Sequence, residues 1–196
     1  MSLHRLIGSL FVSLLLLSGC SSDPRVQVTV HTGQGDIVVA VDTVAAPNTS
    51  ANFLQYVRAG LYDGGSFFRV VRDDNQPTDS IRIDVIQGRA NLDFSNRFFD
   101  PIDMERTTTT GILHTDGTIS MARGLNNPNT ATHSFFFTLG DQPSLDYGGM
   151  RNPDGQGFAA FGKVLEGMEV IRSIQSGDVE VQMLVEPVLI DSVRVN

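Results

Sequence analysis

Arg69, inside the apolar run Phe67 to Val71, and Gln87, directly after Val85-Ile86, offer this chain a planar cation and a neutral amide. A guanidinium keeps its charge and presents several donors in one rigid plane. A fixed donor of this kind is suited to electrostatic chemistry, but a lone arginine on a strand is ordinarily a surface residue. Other chemistries find less support. His4, His31, His114 and His133 show no metal-binding spacing, and Cys20 is the only cysteine. His4 falls in the apolar leader described below, and the other three are expected on the surface or in loops. There is no Gly-x-Ser-x-Gly elbow to carry a serine nucleophile. Gly155-x-Gly157-x-x-Ala160 has the spacing of a dinucleotide fingerprint, but no strand precedes it and no helix follows, so its glycines read as turn residues. No metal and no cofactor are expected.

The elements that must position these groups are mostly strands. Residues 26–31 alternate apolar and polar, the period of a half-buried strand. Gly33-Gln34-Gly35 is turn material, and residues 36–42 read as the returning strand of a hairpin. A helix follows near residues 47–59, with Pro47 in its first turn, Phe53, Leu54, Val57 and Leu61 on one face, and Gly60 as its stop. Residues 66–71 and 81–87 read as strands carrying Arg69 and Gln87, joined by the polar segment 72–80. Residues 89–111 have no clear period and read as loop, the threonine run 107–110 included. Residues 118–122, 134–139 and 158–164 are further short strands, residues 167–175 a second helix with Met168, Ile171 and Ile174 as its apolar stripe, and residues 181–195 one or two last strands. Many short strands, two helices and 19 glycines imply a closed or nearly closed antiparallel barrel with the helices outside.

The chain has 196 residues, with 14 Lys and Arg against 22 Asp and Glu, a net charge of −8. That balance argues against nucleic acid or an anionic membrane surface as the main partner, since both select basic patches. The first residues are set apart. Arg5 precedes an apolar run over residues 6–17, small residues follow, and then comes Cys20. The run is too short to span a bilayer and reads as the apolar region of a signal peptide. Leu17-Ser18-Gly19-Cys20 resembles the bacterial lipobox, in which the cysteine is lipid-modified and becomes the new N-terminus. The expected organisation is a lipoprotein signal peptide at 1–19, a lipidated tether at 20–25 and one domain at 26–196. The expected location is a membrane facing the periplasm, held by lipid on Cys20. Ser21 stands where an Asp would signal inner-membrane retention, which favours the outer membrane. With its one cysteine modified, the domain has no disulfide and depends on packing.

Five blocks occur in fixed order: Tyr62-Asp63-Gly64-Gly65-Ser66-Phe67-Phe68-Arg69-Val70-Val71, Val85-Ile86-Gln87-Gly88, Gly117-Thr118-Ile119-Ser120-Met121-Ala122-Arg123, Ser134-Phe135-Phe136-Phe137 and Phe161-Gly162-Lys163-Val164-Leu165-Glu166-Gly167-Met168. Together they resemble the cyclophilin family of peptidyl-prolyl isomerases over residues 26–195. The resemblance implies a mainly β fold, a closed eight-stranded antiparallel barrel with two flanking helices and a proline-binding groove on its outer face. It implies that Arg69 is the catalytic arginine and that Gln87 orients it and contacts substrate backbone. It implies that Phe136 floors the proline pocket, that Val85, Leu145 and Phe158 wall it, and that the main chain of Ala122 and Arg123 grips the peptide, Arg123 replacing the usual asparagine.

The chain departs from the family pattern at three places. Ser134 stands where many cyclophilins have a glutamine that contacts substrate, and the resemblance carries it over as a substrate-binding position with a shorter side chain. Ser144-Leu145 stands where eukaryotic members often carry a tryptophan, and this chain has none. The connection 72–80 is longer than usual, and Asp84-Val85 replaces a Phe-Met pair, which implies a rebuilt groove edge. Two functions follow as alternatives. One is an isomerase acting on X-Pro bonds of exported proteins. The other is a cyclophilin-like lipoprotein that binds proline-containing segments without useful catalysis. Proline-containing polypeptides are the expected partners in both, and a monomer the expected state.

Overall fold

The computed structural model of the chain describes residues 25–76 and 80–196. The leader, Cys20 and most of the tether lie outside the described residues.

The chain begins with the expected hairpin, β1 (Val26–Thr32) and β2 (Gly35–Val41), paired antiparallel from Val26↔Val41 to Thr32↔Gly35. Helix α1 (Pro47–Arg58) follows, with Pro47 at its start. Its first turn holds no acidic residue and no capping side chain of its own. The exposed amides of that turn are met from far along the chain instead. The Glu105 carboxylate accepts from Asn48 N at 3.0 Å, Thr49 N at 2.7 Å and Thr49 Oγ1 at 2.6 Å, which places negative charge at the positive end of the helix dipole. At the other end Gly60 is left-handed, and Leu61 N reaches back to Tyr56 O at 3.0 Å, closing the helix in the way glycine permits.

Strand β3 (Gly65–Val71) carries Arg69 and β4 (Val85–Arg89) carries Gln87. The second of these departs from the sequence expectation of 81–87: the strand starts at Val85 and runs to Arg89. The backbone at Ile83 is not free to join a ladder, because the buried side chain of Gln76 occupies it from both sides, donating to Ile83 O at 2.8 Å and accepting from Ile83 N at 3.2 Å. The stretch 89–111 is not featureless either. It holds a turn of 3-10 helix at Leu92–Arg97 and one α-helical turn, α2 (Thr107–Thr110), where a polar loop was expected. The left-handed Gly111 closes α2, its N–H donating to Thr107 O at 2.8 Å.

The remaining strands are β5 (Thr118–Met121), β6 (Ser134–Thr138), β7 (Ala159–Glu166), β8 (Val179–Glu180) and β9 (Met183–Val195), with α3 (Met168–Gln175) between β7 and β8. Sheet order is β1-β2-β7-β5-β6-β4-β3-β9-β8, and β1 also pairs with β9. The result is the expected closed antiparallel barrel of eight strands, and the short β8, not expected from the sequence, lies outside it. Closure leaves no free edge among the eight. The barrel interior is filled by Phe53, Phe67, Phe135, Phe137, Phe161 and their aliphatic neighbours, all buried. Gly88 faces this interior because nothing larger fits: a Cβ there would sit 2.8 Å from Phe135. A second, smaller cluster lies on the outer face, made of Val71, Ile83, Val85, Phe136 and Leu145. Among the described residues no helix is long and apolar enough to cross a membrane.

Candidate active site

The outer cluster exists because β3 breaks its own alternation. Phe67 pairs with Gly88, but the next paired residue is Arg69, opposite Gln87, so Phe68 is an extra residue in the ladder. In an unbroken strand Phe67 and Arg69 would share a face. The bulge sends Phe67 into the barrel and turns Arg69 and Val71 outward, the re-aiming that bulges near functional sites accomplish. Phe68 is left half-buried on the surface under the Arg89 guanidinium, 4.2 Å from its ring centre. Strand β4 alternates regularly, so Val85 and Gln87 face outward while Ile86 enters the core. Strand β6 does the same with Phe136 between the interior pair Phe135 and Phe137.

These outward residues line one groove of about 460 Å³. Arg69, Val85, Gln87, Ala122, Arg123, Phe136, Leu145 and Phe158 all border it, eight residues brought together from six parts of the chain. Arg69 Nη1 donates to Gln87 Oε1 at 3.0 Å. Phe136, 5% exposed, stacks on His114 with ring centres 5.9 Å apart and meets Phe158 edge-on at 5.4 Å. The site therefore offers a fixed cation above an apolar floor.

Arg123 acts differently from a surface residue. Its side chain is 1% exposed and grips the loop before β7, donating to both oxygens of Asp154 at 2.9 and 2.7 Å and to Gly157 O at 2.8 Å. These bonds hold the Asp154 carboxyl below the usual carboxylate range. Gly157 is left-handed, and a Cβ on it would strike the carbonyls of Leu145 and Asp146 at 2.7 Å, so this wall of the groove needs glycine. Gly155, of the supposed nucleotide fingerprint, is left-handed in the same loop, and a strand follows. Ala122 spends its N–H on Ser134 O at 2.9 Å.

Three expectations change. Ser134 does not line the groove; its short side chain ends at His133, with Oγ 3.3 Å from Nδ1. Asp84 does not face the groove either. It turns to the opposite side, where Gln175 Nε2 donates to it at 3.1 Å, and Ile83 and Val85 supply the apolar edge in its place. Burial, with Asp73 and Asp74 nearby, raises the Asp84 carboxyl above its ordinary value. His114 is the third. Expected on the surface or in a loop, it lies in a loop but is buried, 1% exposed, 2.7 Å from Asp146 and 3.0 Å from Ser120 Oγ. The order Asp-His-Ser has the look of a charge-relay chain, but Ser120 is fully buried, so no substrate reaches its oxygen. The chain supports Phe136 from beneath. Among the described residues no cluster suited to a metal occurs.

Sequence reasoning missed three wall residues from the long connection, Ser80, Ile81 and Ile83, and the facing loop Met150, Arg151, Asn152 and Pro153. Arg151 Nη1 ties the two together by donating to Ile81 O at 2.7 Å. It also missed Gln182, which accepts from Arg69 Nε at 3.1 Å.

Comparison with known proteins agrees with this geometry. A family model described as cyclophilin type peptidyl-prolyl cis-trans isomerase/CLD matches residues 26–195. The chain is 32% identical over 173 residues to peptidyl-prolyl cis-trans isomerase cyp18 of Streptomyces antibioticus, covering 86% of this chain and 97% of that protein. It is 32% identical over 148 residues to peptidyl-prolyl cis-trans isomerase B of Escherichia coli, covering 76% and 83%. In fold it is similar to a cyclophilin type peptidyl-prolyl cis-trans isomerase of Cryptosporidium parvum, with a TM-score of 0.69 at 20% identity over 88% of this chain and 98% of that one. A further structure of the Cryptosporidium protein, obtained in the presence of the dipeptide Ala-Pro, gives a TM-score of 0.68 at 19% identity over 87% and 98%. A bulge that turns an arginine onto an apolar groove, and relatives of nearly full length, lead to one conclusion: the chain belongs to the cyclophilin-type peptidyl-prolyl cis-trans isomerases.

Proposed function

We propose that this isomerase acts on exported proteins, with Arg69 as its transition-state donor, Gln87 beside it and Phe136 under the proline ring, while lipid on Cys20 holds it to a membrane facing the periplasm. The barrier to rotation about a peptide bond comes from amide resonance and is about 18–20 kcal/mol. X-Pro bonds populate both isomers and exchange in tens to hundreds of seconds. As the bond twists, the prolyl nitrogen becomes pyramidal and exposes a lone pair. A donor aimed at that nitrogen interacts more strongly in the twisted state than in either planar one, which is the condition for catalysis. The ring rests on an apolar floor while the chain beyond it turns. No bond to the protein forms, so the step needs no nucleophile and no cofactor.

The observation that carries this reading is the Arg69 guanidinium bordering the groove that Phe136 floors, 3.0 Å from the Gln87 oxygen. The test is exchange of a short X-Pro peptide followed by NMR. Arg69→Ala is expected to lower kcat/KM by about 10²–10³, the scale for losing one preorganised donor. Phe136→Ala is expected to raise KM as well, because it removes the floor. An active enzyme indifferent to Arg69→Ala would overturn the assignment.

The absence of Ser134 from the groove favours a second reading, a protein that binds proline segments with little turnover. Retained peptide binding at the groove without accelerated exchange is the outcome that would select it.

A further inference from the structure

We propose that Gln182 is a positioning residue for Arg69, and that the β8–β9 turn is built to present it. This inference rests on Arg69 being the donor. Strands β8 and β9 pair at Val179↔Leu184 and Glu180↔Met183, so Val181 and Gln182 form the whole connection. Val181 has φ 58°, and among the described residues it is the one non-glycine in the left-handed region. Short hairpin turns usually place Gly, Asn or Asp there, and a β-branched residue is strained. Packing does not explain it, because Val181 is 83% exposed. Backbone strain of this kind persists where the surroundings over-determine it, and it gathers at functional sites.

What the turn accomplishes is seen at its second residue. Gln182 O accepts from Val70 N at 2.8 Å, which pins the turn beside Arg69 on β3. Gln182 Oε1 then accepts from both Nε and Nη2 of Arg69, the first at 3.1 Å. Gln87 accepts from Nη1. Two edges of the guanidinium plane are therefore held by two neutral amides that come from opposite sides of β3. Neutral acceptors matter here. A carboxylate in either place would add a negative charge beside the guanidinium, whereas an amide oxygen orients it and adds none. Gln182 Nε2 in turn donates to Asn75 O at 3.3 Å, in the 3-10 turn Asp73–Asn75 of the long β3–β4 connection. That connection thus reaches the catalytic arginine through Gln182.

The experiment compares Gln182→Met, which keeps the length of the side chain and removes its acceptor, with Gln182→Asn, which keeps an acceptor one bond short, and Gln182→Glu, which restores the oxygen with a charge. For a short X-Pro peptide, Gln182→Met is expected to lower kcat about tenfold with KM unchanged, a fraction of the loss expected for Arg69→Ala. Gln182→Glu is expected to recover orientation but to trail the wild type in kcat, and Gln182→Asn to behave as Gln182→Met. In the Arg69→Ala background Gln182→Met should have no further effect, since the two act as one unit. Equal effects in both backgrounds would mean that Gln182 acts through the fold, and a wild-type kcat in Gln182→Met would likewise overturn the proposal. A readout independent of turnover separates this inference from the assignment of Arg69. The Arg69 Nε–Hε resonance is expected to be protected from solvent exchange in the wild type and exposed in Gln182→Met. Unchanged protection overturns the positioning role whatever Arg69 does in catalysis, and lost protection with an Arg69→Ala enzyme of full activity overturns the catalytic reading alone.

Discussion

At the scale of residues, the planarity of Arg69 matters as much as its charge. Its Nε and Nη2 meet Gln182 and its Nη1 meets Gln87. A lysine in its place carries one compact charge and no fork, so it cannot satisfy both amides while facing the groove. Arg69→Lys is therefore expected to lose most of the activity that Arg69→Ala loses, with the melting temperature nearly unchanged; kcat measured beside thermal unfolding checks both halves. Phe136 differs, because it is buried between His114 and Phe158. Truncating a buried phenylalanine costs about 3–5 kcal/mol. Phe136→Ala is thus expected to lower stability as well as peptide affinity, and denaturant titration separates the two.

At the scale of elements, the β3–β4 connection forms one edge of the groove. Gln76 stands in for a strand neighbour, pairing with both backbone groups of Ile83 and donating to Arg72 O at 2.9 Å. Gln76→Ala leaves those groups unpaired, at about 1–3 kcal/mol for a buried one. It also frees Ile83 to shift, so KM for peptide is expected to rise more than kcat falls. Arg72 anchors the same connection by donating to the carbonyls of Gln175 and Gly177 at the end of α3, at 2.7 and 3.1 Å. Asp84 sits in the hollow behind, with Asp73, Asp74 and Asp116 and the cations Arg72 and Arg172 around it. Its carboxyl is raised above the ordinary aspartate value of 3.8, by burial first. The folded state therefore holds its proton more tightly than the unfolded state. The stabilisation from that proton is complete below pH 3.8 and disappears as pH rises through the folded value. At neutral pH Asp84 is a charged, partly desolvated group and a net burden. Asp84→Asn keeps an oxygen for Gln175, and is expected to raise the melting temperature at pH 7 while changing it little at pH 3. An equal gain at both values would show that the charge is not the cause.

At the scale of the whole molecule, the barrel is closed by β1 against β9, with Val30 opposite Val193 and both buried. The Asp63 carboxylate accepts from both terminal nitrogens of Arg194 at 2.8 Å, tying the end of the last strand to the loop after α1. This bond holds Asp63 below the usual carboxylate range. The chain carries a net charge of −8, so its surface gains nothing from an anionic bilayer. The membrane attachment proposed above therefore rests on lipid at Cys20 and not on the charge of the domain. Cys20→Ala is expected to abolish lipid labelling and release the protein from the membrane fraction, with isomerase activity of the domain intact. A mature N-terminus elsewhere, without acyl chains by mass spectrometry, would contradict the anchor.

Much of this was legible in the residues. The five ordered blocks, through their resemblance to the cyclophilins, imply the barrel and the site roles proposed for Arg69, Gln87 and Phe136, while alternation over residues 26–31 and the apolar face of Phe53, Leu54 and Val57 predict β1 and α1. Such signals are local, each read from a few consecutive side chains and their period. What only the tertiary structure decided depends on partners far apart in sequence. The bulge at Phe68 decides that Arg69 faces outward, and it is visible only against β4. Glu105 caps a helix 56 residues away, and Gln182 holds an arginine 113 residues away. His114 is buried because Asp146 and Ser120 close on both of its nitrogens, contacts that satisfy its polarity without leaving a trace in its immediate neighbours. Asp84, one residue from the outward Val85, turns away from the groove to a glutamine 91 residues further along the chain. A period tells which residues share a face; which face meets the groove is settled by the hydrogen bonds between elements that the chain brings together only on folding.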